Sequence, residues 1–533
     1  MNLAEARNLN TKKTIRNDYD APVPLRNWLA VLGAALGAFM AVLDIQIVNS
    51  SLQDIQGALG ATLDEGTWIA TSYLVAEIIT IPLTPWLSRV FSTRTYVIAN
   101  ALLFIIFSVS CAFATDLNMM IVCRALQGFT GGILIPMAFT IILTMLPPAK
   151  RPVGMAIFAV TATFAPSIGP AIGGWLTDSF GWQYIFYLNI IPGILFATIL
   201  SITLTREPMR MDLLKDGDWL GILTMALGLG CLEVVLEEGN RKDWFGSELI
   251  TRLAIVSAFA LAIFLWRELT AKRPLVDLKL FLRRNFALGS VANVALGFGL
   301  YGSVYIVPVY LAQIQGYSAW QIGQAMMWLG LPQLLIIPFV PQLMQRFDPR
   351  VILGIGLALF ATSCLMNSSM SYDNSGPQLI ASLLVRAMGQ PLIMVPLSTL
   401  TTSGIEGAQA AGASALFNMM RNLGGSIGVA MISTFITRRE QFHSSRIGES
   451  VYQGSIALQG RIDSLTQYFA SRGADLAFAH DQAVKMLDSI VRRESFLMAF
   501  NDAFLIMGIT LLLSLIAVSF LQKPRGRAAE GVH

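Results

Sequence analysis

Cys123-Arg124-Ala125-Leu126-Gln127-Gly128 sets a cation inside a long apolar run, and Gly169-Pro170-Ala171-Ile172-Gly173-Gly174 sets a helix breaker among glycines inside the next run. Both runs, near 117–146 and 152–176, can cross a hydrocarbon core of ~30 Å at ~1.5 Å per residue. An arginine in lipid needs a partner, and a proline needs neighbours that satisfy the carbonyl it frees. The stretch 123–175 therefore reads as part of a membrane machine with a polar, closely packed interior, not as a passive anchor.

Composition points the same way. Of 533 residues, 54% are apolar and 13% charged, against roughly 25% charged in soluble domains; mean hydropathy is +0.61. Such a chain cannot cover itself for water. The net charge of +4 is small, and Lys and Arg sit between apolar runs. They read as topology signals and not as a nucleic-acid patch. Cys111, Cys123, Cys231 and Cys364 fall in apolar runs, at spacings that suit neither a zinc site nor a disulfide framework, and read as small hydrophobes. His443, His480 and His533 lie in polar segments. With no nucleophile–base constellation, metal cluster or nucleotide loop, neither an enzyme nor a cofactor is expected. Residues 1–27 are polar and the apolar run after them exceeds a signal-peptide core, so the first span reads as an uncleaved signal anchor.

Apolar runs predict fourteen membrane helices, at 28–50, 67–87, 95–114, 117–146, 152–176, 182–204, 218–236, 250–267, 286–312, 320–343, 351–369, 379–400, 410–437 and 496–521. With the N-terminus inside, the inner segments collect Arg7, Lys12, Lys13, Arg16, Arg26, Arg89, Arg94, Lys150, Arg151, Arg206, Arg210 and Lys215. They also hold Arg267, Lys272, Arg273, Lys279, Arg283, Arg284, Arg346, Arg350, Lys523, Arg525 and Arg527. Short outer loops hold only Arg241, Lys242 and Arg252, so both termini are expected in the cytoplasm. The outer segment 438–495 is long enough to escape the charge rule. Ile462, Leu465 and Phe469, and then Ala483, Met486, Leu487, Ile490 and Val491, follow helical spacing, predicting two amphipathic helices outside the membrane. A self-packed cap and a docking surface for a partner both fit them.

An internal repeat is visible. Gly66-Thr67-Trp68 through Ile81-Pro82-Leu83 to Arg89 and Arg94 is echoed by Ser318-Ala319-Trp320 through Ile337-Pro338-Phe339 to Arg346 and Arg350. Arg124 and Pro136 are echoed by Arg386 and Pro396, an offset of about 260 residues in unchanged orientation. The expected organisation is an N-terminal tail 1–27, a six-helix bundle 28–204, two inserted helices with a cytoplasmic linker 205–285, a second six-helix bundle 286–522 that includes the outer loop 438–495, and a cytoplasmic tail 523–533.

At these residues the chain resembles the major facilitator superfamily, and within it the fourteen-span drug:proton antiporters of the EmrB/QacA type. Leu43-Asp44-Ile45-Gln46-Ile47-Val48-Asn49 is similar to the first-span motif, and Arg124 with Gln127 and Gly128 to the fourth-span motif. Gly169-Pro170 with Gly173 and Gly174 is similar to the fifth-span antiporter motif, and Gly181-Trp182 through Asn189 to the signature opening the sixth. The resemblance covers nearly the whole chain. It implies an all-α polytopic protein of the major facilitator fold, with two six-helix bundles plus two central helices. It departs at Thr84 to Ser92, where Arg89 persists without the usual aspartate and glycines, and at Gln46 and Gln53.

Charges inside spans are functional candidates. Asp44 lies ~9 Å and Arg124 ~10 Å from the outer ends of their spans, matched for pairing, and Glu77 lies ~15 Å in. Asp44 or Glu77 would carry the coupling proton while Arg124 modulates it. A structural arginine satisfied by carbonyls, and a packing hydrogen bond for Asp44, remain open. Arg386 reads as a structural relic of the repeat, Arg421 as part of a close helix contact, and Glu233 as solvated near the outer end of span seven. Gly169 and Gly173 share a helix face beside Pro170, as a rocking seam requires, and generic small-residue packing fits them too. Tyr301, Tyr305, Tyr310, Met326, Met327 and Trp328 could line an adaptable cavity, or face lipid.

The resemblance implies proton-driven efflux of amphipathic drugs or other toxic compounds by alternating access, across a bacterial inner membrane. It also implies a periplasmic adaptor that connects the pump to an outer-membrane channel. Export of a specific lipid, siderophore or fatty acid is the alternative, and a receptor or assembly platform using the outer loop is the alternative of another class.

Overall fold

Lipid offers the backbone no hydrogen bonds, so spanning segments must satisfy their own peptide groups. Accordingly, all regular elements among the described residues of the computed structural model are helical. It describes residues 22–522 except 216, 272–273, 406 and 451–454. Arg7, Lys12, Lys13, Arg16, Lys272, Arg273, the tail 523–533 and its basic residues lie outside the described residues.

The long helices are α1 (Leu25–Ser50), α2 (Trp68–Val90), α3 (Thr93–Ala112), α4 (Leu117–Met145), α5 (Arg151–Phe180), α6 (Tyr184–Thr203), α7 (Trp219–Glu238) and α8 (Glu248–Thr270). After them come α9 (Arg284–Gln313), α10 (Trp320–Arg346), α11 (Pro349–Ser369), α12 (Gly376–Thr401), α13 (Gly407–Ser450) and α14 (Leu476–Ser519). The end of the bundle holding Leu25 and Ser519 is termed the terminal end, and the opposite one the distal end. At the terminal end basic side chains close the C-termini of helices. Arg26 Nε donates to the Thr203 carbonyl at 2.7 Å, Arg94 Nη2 to Ser201 at 2.6 Å, and Arg284 Nε to Phe520 at 3.0 Å. These carbonyls have no partner within their own helices, and a cation there also opposes the helix dipole.

Within α1–α6, α1 packs on α4, α5 and α6, α2 on α4, and α3 on α4 and α6; within α9–α14, α9 packs on α13, α14 and α12, and α11 on α12 and α14. The two groups meet along α5–α10, α5–α12, α2–α13 and α4–α13. The inserted α7 pairs with α8 and lies against both α2 and α13. α8 turns Phe259, Leu265, Trp266 and Leu269 outward, an apolar surface suited to lipid.

Among the described residues thirteen helices are long and apolar enough to cross a membrane. The expected fourteenth, 410–437, is the helix α13, which falls short on hydropathy. The reason is its position. Ser414, Asn418 and Arg421 are buried, and α13 is enclosed by α9, α14, α2 and α4, so its polar face meets protein and not lipid. Helices α13 and α14, at 44 residues each, are ~66 Å long and project past a ~30 Å core at the distal end. There Asp502 of α14 receives Arg439 Nε at 2.7 Å and sits 2.8 Å from His443 Nε2, both from α13. The two helices expected outside the membrane exist, but only Ile456–Ala470 is separate; it packs on α14. The second, with Ala483 to Val491, is the distal part of α14 itself.

Candidate functional site

Two glycines bring α5 against α1. A Cβ on Gly173 would stand 2.3 Å from Ser50 Oγ and 3.0 Å from the Ile47 carbonyl, and one on Gly169 2.5 Å from Gln46 Cβ. Gly174 is buried on the same helix, and Pro170 lies within it. Gly128 does the same between α4 and α2, where an added Cβ would meet the Tyr73 carbonyl at 2.3 Å. These approaches bring α5 onto α1 and α4 onto α2, the helices that flank the buried charges.

Asp44 of α1 and Arg124 of α4 are 2% and 1% exposed. Arg124 Nη1 donates to Asp44 Oδ2 at 2.7 Å. Gln127, one turn on from Arg124, donates through Nε2 to Asp44 Oδ1 at 3.0 Å and accepts from Arg124 Nη1 at 2.8 Å. Asn189 Nδ2 donates to Asp44 Oδ1 at 2.6 Å and to Ser108 Oγ at 3.0 Å. Arg124 Nε reaches the Ile69 carbonyl at 3.3 Å, and its guanidinium lies 4.3 Å from the centre of the Tyr73 ring. Both carboxylate oxygens are thus engaged by polar side chains of two helices, α4 and α6, the arrangement a buried ion pair requires. Asn189, which closes the sixth-span signature, sits where the first turn of α6 gives way to its main run, and that break turns it inward. Asn49 is exposed and outside this network.

Glu77 takes no hydrogen bond from that network. It is 4% exposed, and its Oε1 accepts from Asn422 Nδ2 of α13 at 3.2 Å, across the contact between the two groups. Tyr73, one turn before it on α2, lies under the Arg124 guanidinium. Arg89 is exposed and donates to the Pro85 carbonyl of its own helix at 3.1 Å.

Glu233 corrects the expectation of a solvated side chain. It is 2% exposed, and its Oε1 accepts from Ser426 Oγ of α13 at 2.7 Å. Its depth along α7 was legible in the sequence, but not that α7 turns it towards α13. Arg421, one residue from Asn422, is 1% exposed and has no hydrogen-bond partner at Nε or Nη1 among the described residues. It lines a cavity with Val42, Gln46, Pro166, Leu300, Tyr301 and Val304, drawn from α1, α5, α9 and α13. That cavity offers about 20 Å³ to the centre of a water-sized sphere, room for a water and not for a drug-sized molecule. Of the aromatic and Met residues singled out, Tyr301 reaches it; Met326 is buried elsewhere, and Met327 and Trp328 are exposed. Arg386 is buried with Phe360 5.1 Å away, and its Nε and Nη2 have no partner among the described residues. Cys111, Cys123 and Cys364 are buried and Cys231 partly so, all as free thiols.

The groups touch on both sides of the cavity. Towards the terminal end Ser414 Oγ donates to the Pro136 carbonyl at 2.6 Å, and Phe139 and Phe417 lie 5.3 Å apart. Towards the distal end Gly323 of α10 meets Ala171 of α5, where an added Cβ would stand 2.5 Å from the Ala171 Cβ. A larger molecule enters only if the groups part on one side.

The family model of the Major Facilitator Superfamily matches residues 34–429. The chain is 33% identical over 498 residues to the colistin resistance protein EmrB of Acinetobacter baumannii, covering 93% of this chain and 97% of that one. It is 33% identical over 504 residues to the fatty acid resistance protein FarB of Neisseria gonorrhoeae, with 94% and 97% covered. Among solved structures it superposes on the human organic anion transporter MFSD10 with a TM-score of 0.58 at 13% identity, covering 92% of this chain and 99% of that one, a likeness of fold. The chain belongs to the major facilitator superfamily and is an EmrB-like member of it.

Proposed function

We propose that the protein exports amphipathic toxic compounds across the bacterial inner membrane in exchange for protons, by alternating access about the central cavity. The observation that carries this reading is the fully bonded Asp44–Arg124 pair buried beside a cavity closed on both sides. A carboxylate whose charge is balanced by one arginine changes its proton affinity when that arginine moves. In the cycle Asp44 or Glu77 releases its proton to the cytoplasm and substrate enters. Outward opening then admits a proton that displaces the substrate. The names of the relatives, resistance to colistin and to fatty acids, favour noxious amphiphiles as cargo. The terminal end faces the cytoplasm in this scheme, where its basic residues belong.

The purified chain in vesicles, loaded with Hoechst 33342 and given an imposed proton gradient, tests the proposal. Gradient-driven dye movement is expected, lost in Asp44→Asn, Glu77→Gln or Arg124→Ala. Undiminished coupling in all three sinks the scheme. Helices α13 and α14 and the segment between them at the distal end would dock a periplasmic adaptor, and through it an outer-membrane channel. Deleting 441–494 should then abolish adaptor capture while insertion persists, and retained capture refutes docking.

A second reading, export of a fatty acid or another anionic amphiphile, is favoured by Arg421. Its unpartnered guanidinium nitrogens beside an apolar cavity suit a carboxylate head with an apolar tail. Tighter binding of decanoate than of decylamine, lost in Arg421→Gln, would support it over the first.

A further inference from the structure

Helix α7, the first of the inserted pair, bears Glu233, Glu237 and Glu238 in its last turns. Glu238 is anchored: its Oε1 accepts from Thr67 Oγ1 at 3.0 Å and Thr71 Oγ1 at 3.2 Å, and Arg241 stands 3.7 Å away. Glu233 is held at one oxygen only. Its Oε1 accepts from Ser426, whereas Oε2 is buried with no hydrogen-bond partner among the described residues. An ionised carboxylate left so is costly to bury, and a neutral acid much less so.

The surroundings of Glu233 are not those of an ordinary ion pair. The charged groups that act on it are Glu237 of its own helix and Glu77 of α2. Tyr301 of α9 lines the cavity with Arg421 of α13, and its hydroxyl lies 3.4 Å from Asn422 Oδ1, the side chain that holds Glu77. Asn422 and Ser426 are one turn apart on α13, and Ser426 Oγ also approaches the Asn422 carbonyl at 3.3 Å. One holds Glu77 and the other Glu233, so adjacent turns of one helix face carry both carboxylates. Glu233 lies ~7 Å from the distal end of α7, and Glu77 ~14 Å from the distal end of α2. α2 and α13 belong to opposite groups, so the Asn422 contact spans the seam between them.

We propose that Glu233 is a second proton-binding carboxylate, through which protons entering at the distal end of α7 reach Glu77 along the Asn422–Ser426 face of α13. The net step moves one proton from the Glu233 carboxylic acid to the Glu77 carboxylate, carried by water admitted as α2 and α13 part. No other bond forms or breaks. The inserted helix thereby has a task in the cycle besides filling the groove between the groups.

The proposal rests on proton-coupled export, and its test separates the two. The full chain in vesicles is assayed with Hoechst 33342 for gradient-driven export and for dye exchange without a gradient. In Glu233→Gln the ratio of driven export to exchange should fall about tenfold or more, and Glu233→Asp should restore most of it. An unchanged ratio overturns the proposal, as does equal loss of both activities with no rescue by aspartate, which marks a structural residue. If the wild type shows no driven movement, the export reading fails. Infrared spectra at low and high pH then still decide for Glu233: a protonated-carboxyl band present in wild type and missing in Glu233→Gln supports proton binding, and identical spectra overturn it.

Discussion

Asp44 shows how a buried charge is tolerated and where it fails. Its two oxygens take three donors, from Arg124, Gln127 and Asn189, and no water is needed to satisfy them. Removing one partner leaves the other uncompensated in a low-dielectric interior, at a cost of about 3–5 kcal/mol, whereas neutralising both costs less than the sum. Asp44→Asn and Arg124→Gln should therefore each lower thermal stability in detergent, and the double variant should recover part of the loss. Strictly additive losses would show that the pair contributes no coupling. This pairing was legible in the sequence, because both residues lie at matched depth in the first and fourth apolar runs. Glu233 was misread from the same kind of count. Depth along a helix says how far a group is from the membrane surface, but its partner, Ser426, is 193 residues away and no periodicity reveals which face α7 turns to α13.

At the scale of helices, the α1–α5 seam rests on missing side chains. Gly173 allows the α5 backbone to approach Ser50 and Ile47 to a distance that one methyl group forbids. Gly173→Ala should destabilise the bundle by about 1–3 kcal/mol, the usual cost of overpacking, and slow export. Gly57→Ala, at a helical site with open space around it, should be neutral or stabilising. Melting of the purified variants compares them, and a Gly173→Ala protein as stable as wild type removes the seam argument. The motif spacing pointed to this face in advance. Helix α13 was legible as a helix, yet its membrane character comes from its neighbours: a segment enclosed by four others can carry Asn418, Arg421 and Asn422 that hydropathy counts against it. The helix Ile456–Ala470 and the distal part of α14 were legible as amphipathic turns, whereas the continuity of the latter with its span was not, since a polar, amphipathic stretch gives no sign of whether the helix stops at the interface.

For the whole molecule, the decisive quantity is the balance between states in which the two groups touch at one end or the other. On the distal side that contact runs along α5 and α10, where Gly323 faces Ala171 and Gly330 faces Ser167, two turns apart on one helix face. An added Cβ at 323 would stand 2.6 Å from the Ala171 Cα and 2.8 Å from its nitrogen. Backbone atoms cannot rotate away as a side chain does, so the strain must be relieved by parting the helices. If the penalty is about 1–3 kcal/mol and falls only on the closed state, the equilibrium shifts by roughly 5- to 150-fold towards distal opening. Spin labels at Phe180 and Trp320, both exposed near the distal ends of α5 and α10, report it in a chain whose four cysteines have been replaced. Gly323→Ala should lengthen the interlabel distance, and Gly323→Leu more so, while Gly412→Ala, with open space around it, should leave it unchanged. Lengthening must also slow transport, because a pump held open on one side cannot return its site to the other. An unchanged distance in both Gly323 variants would mean that the α5–α10 contact does not close the distal side.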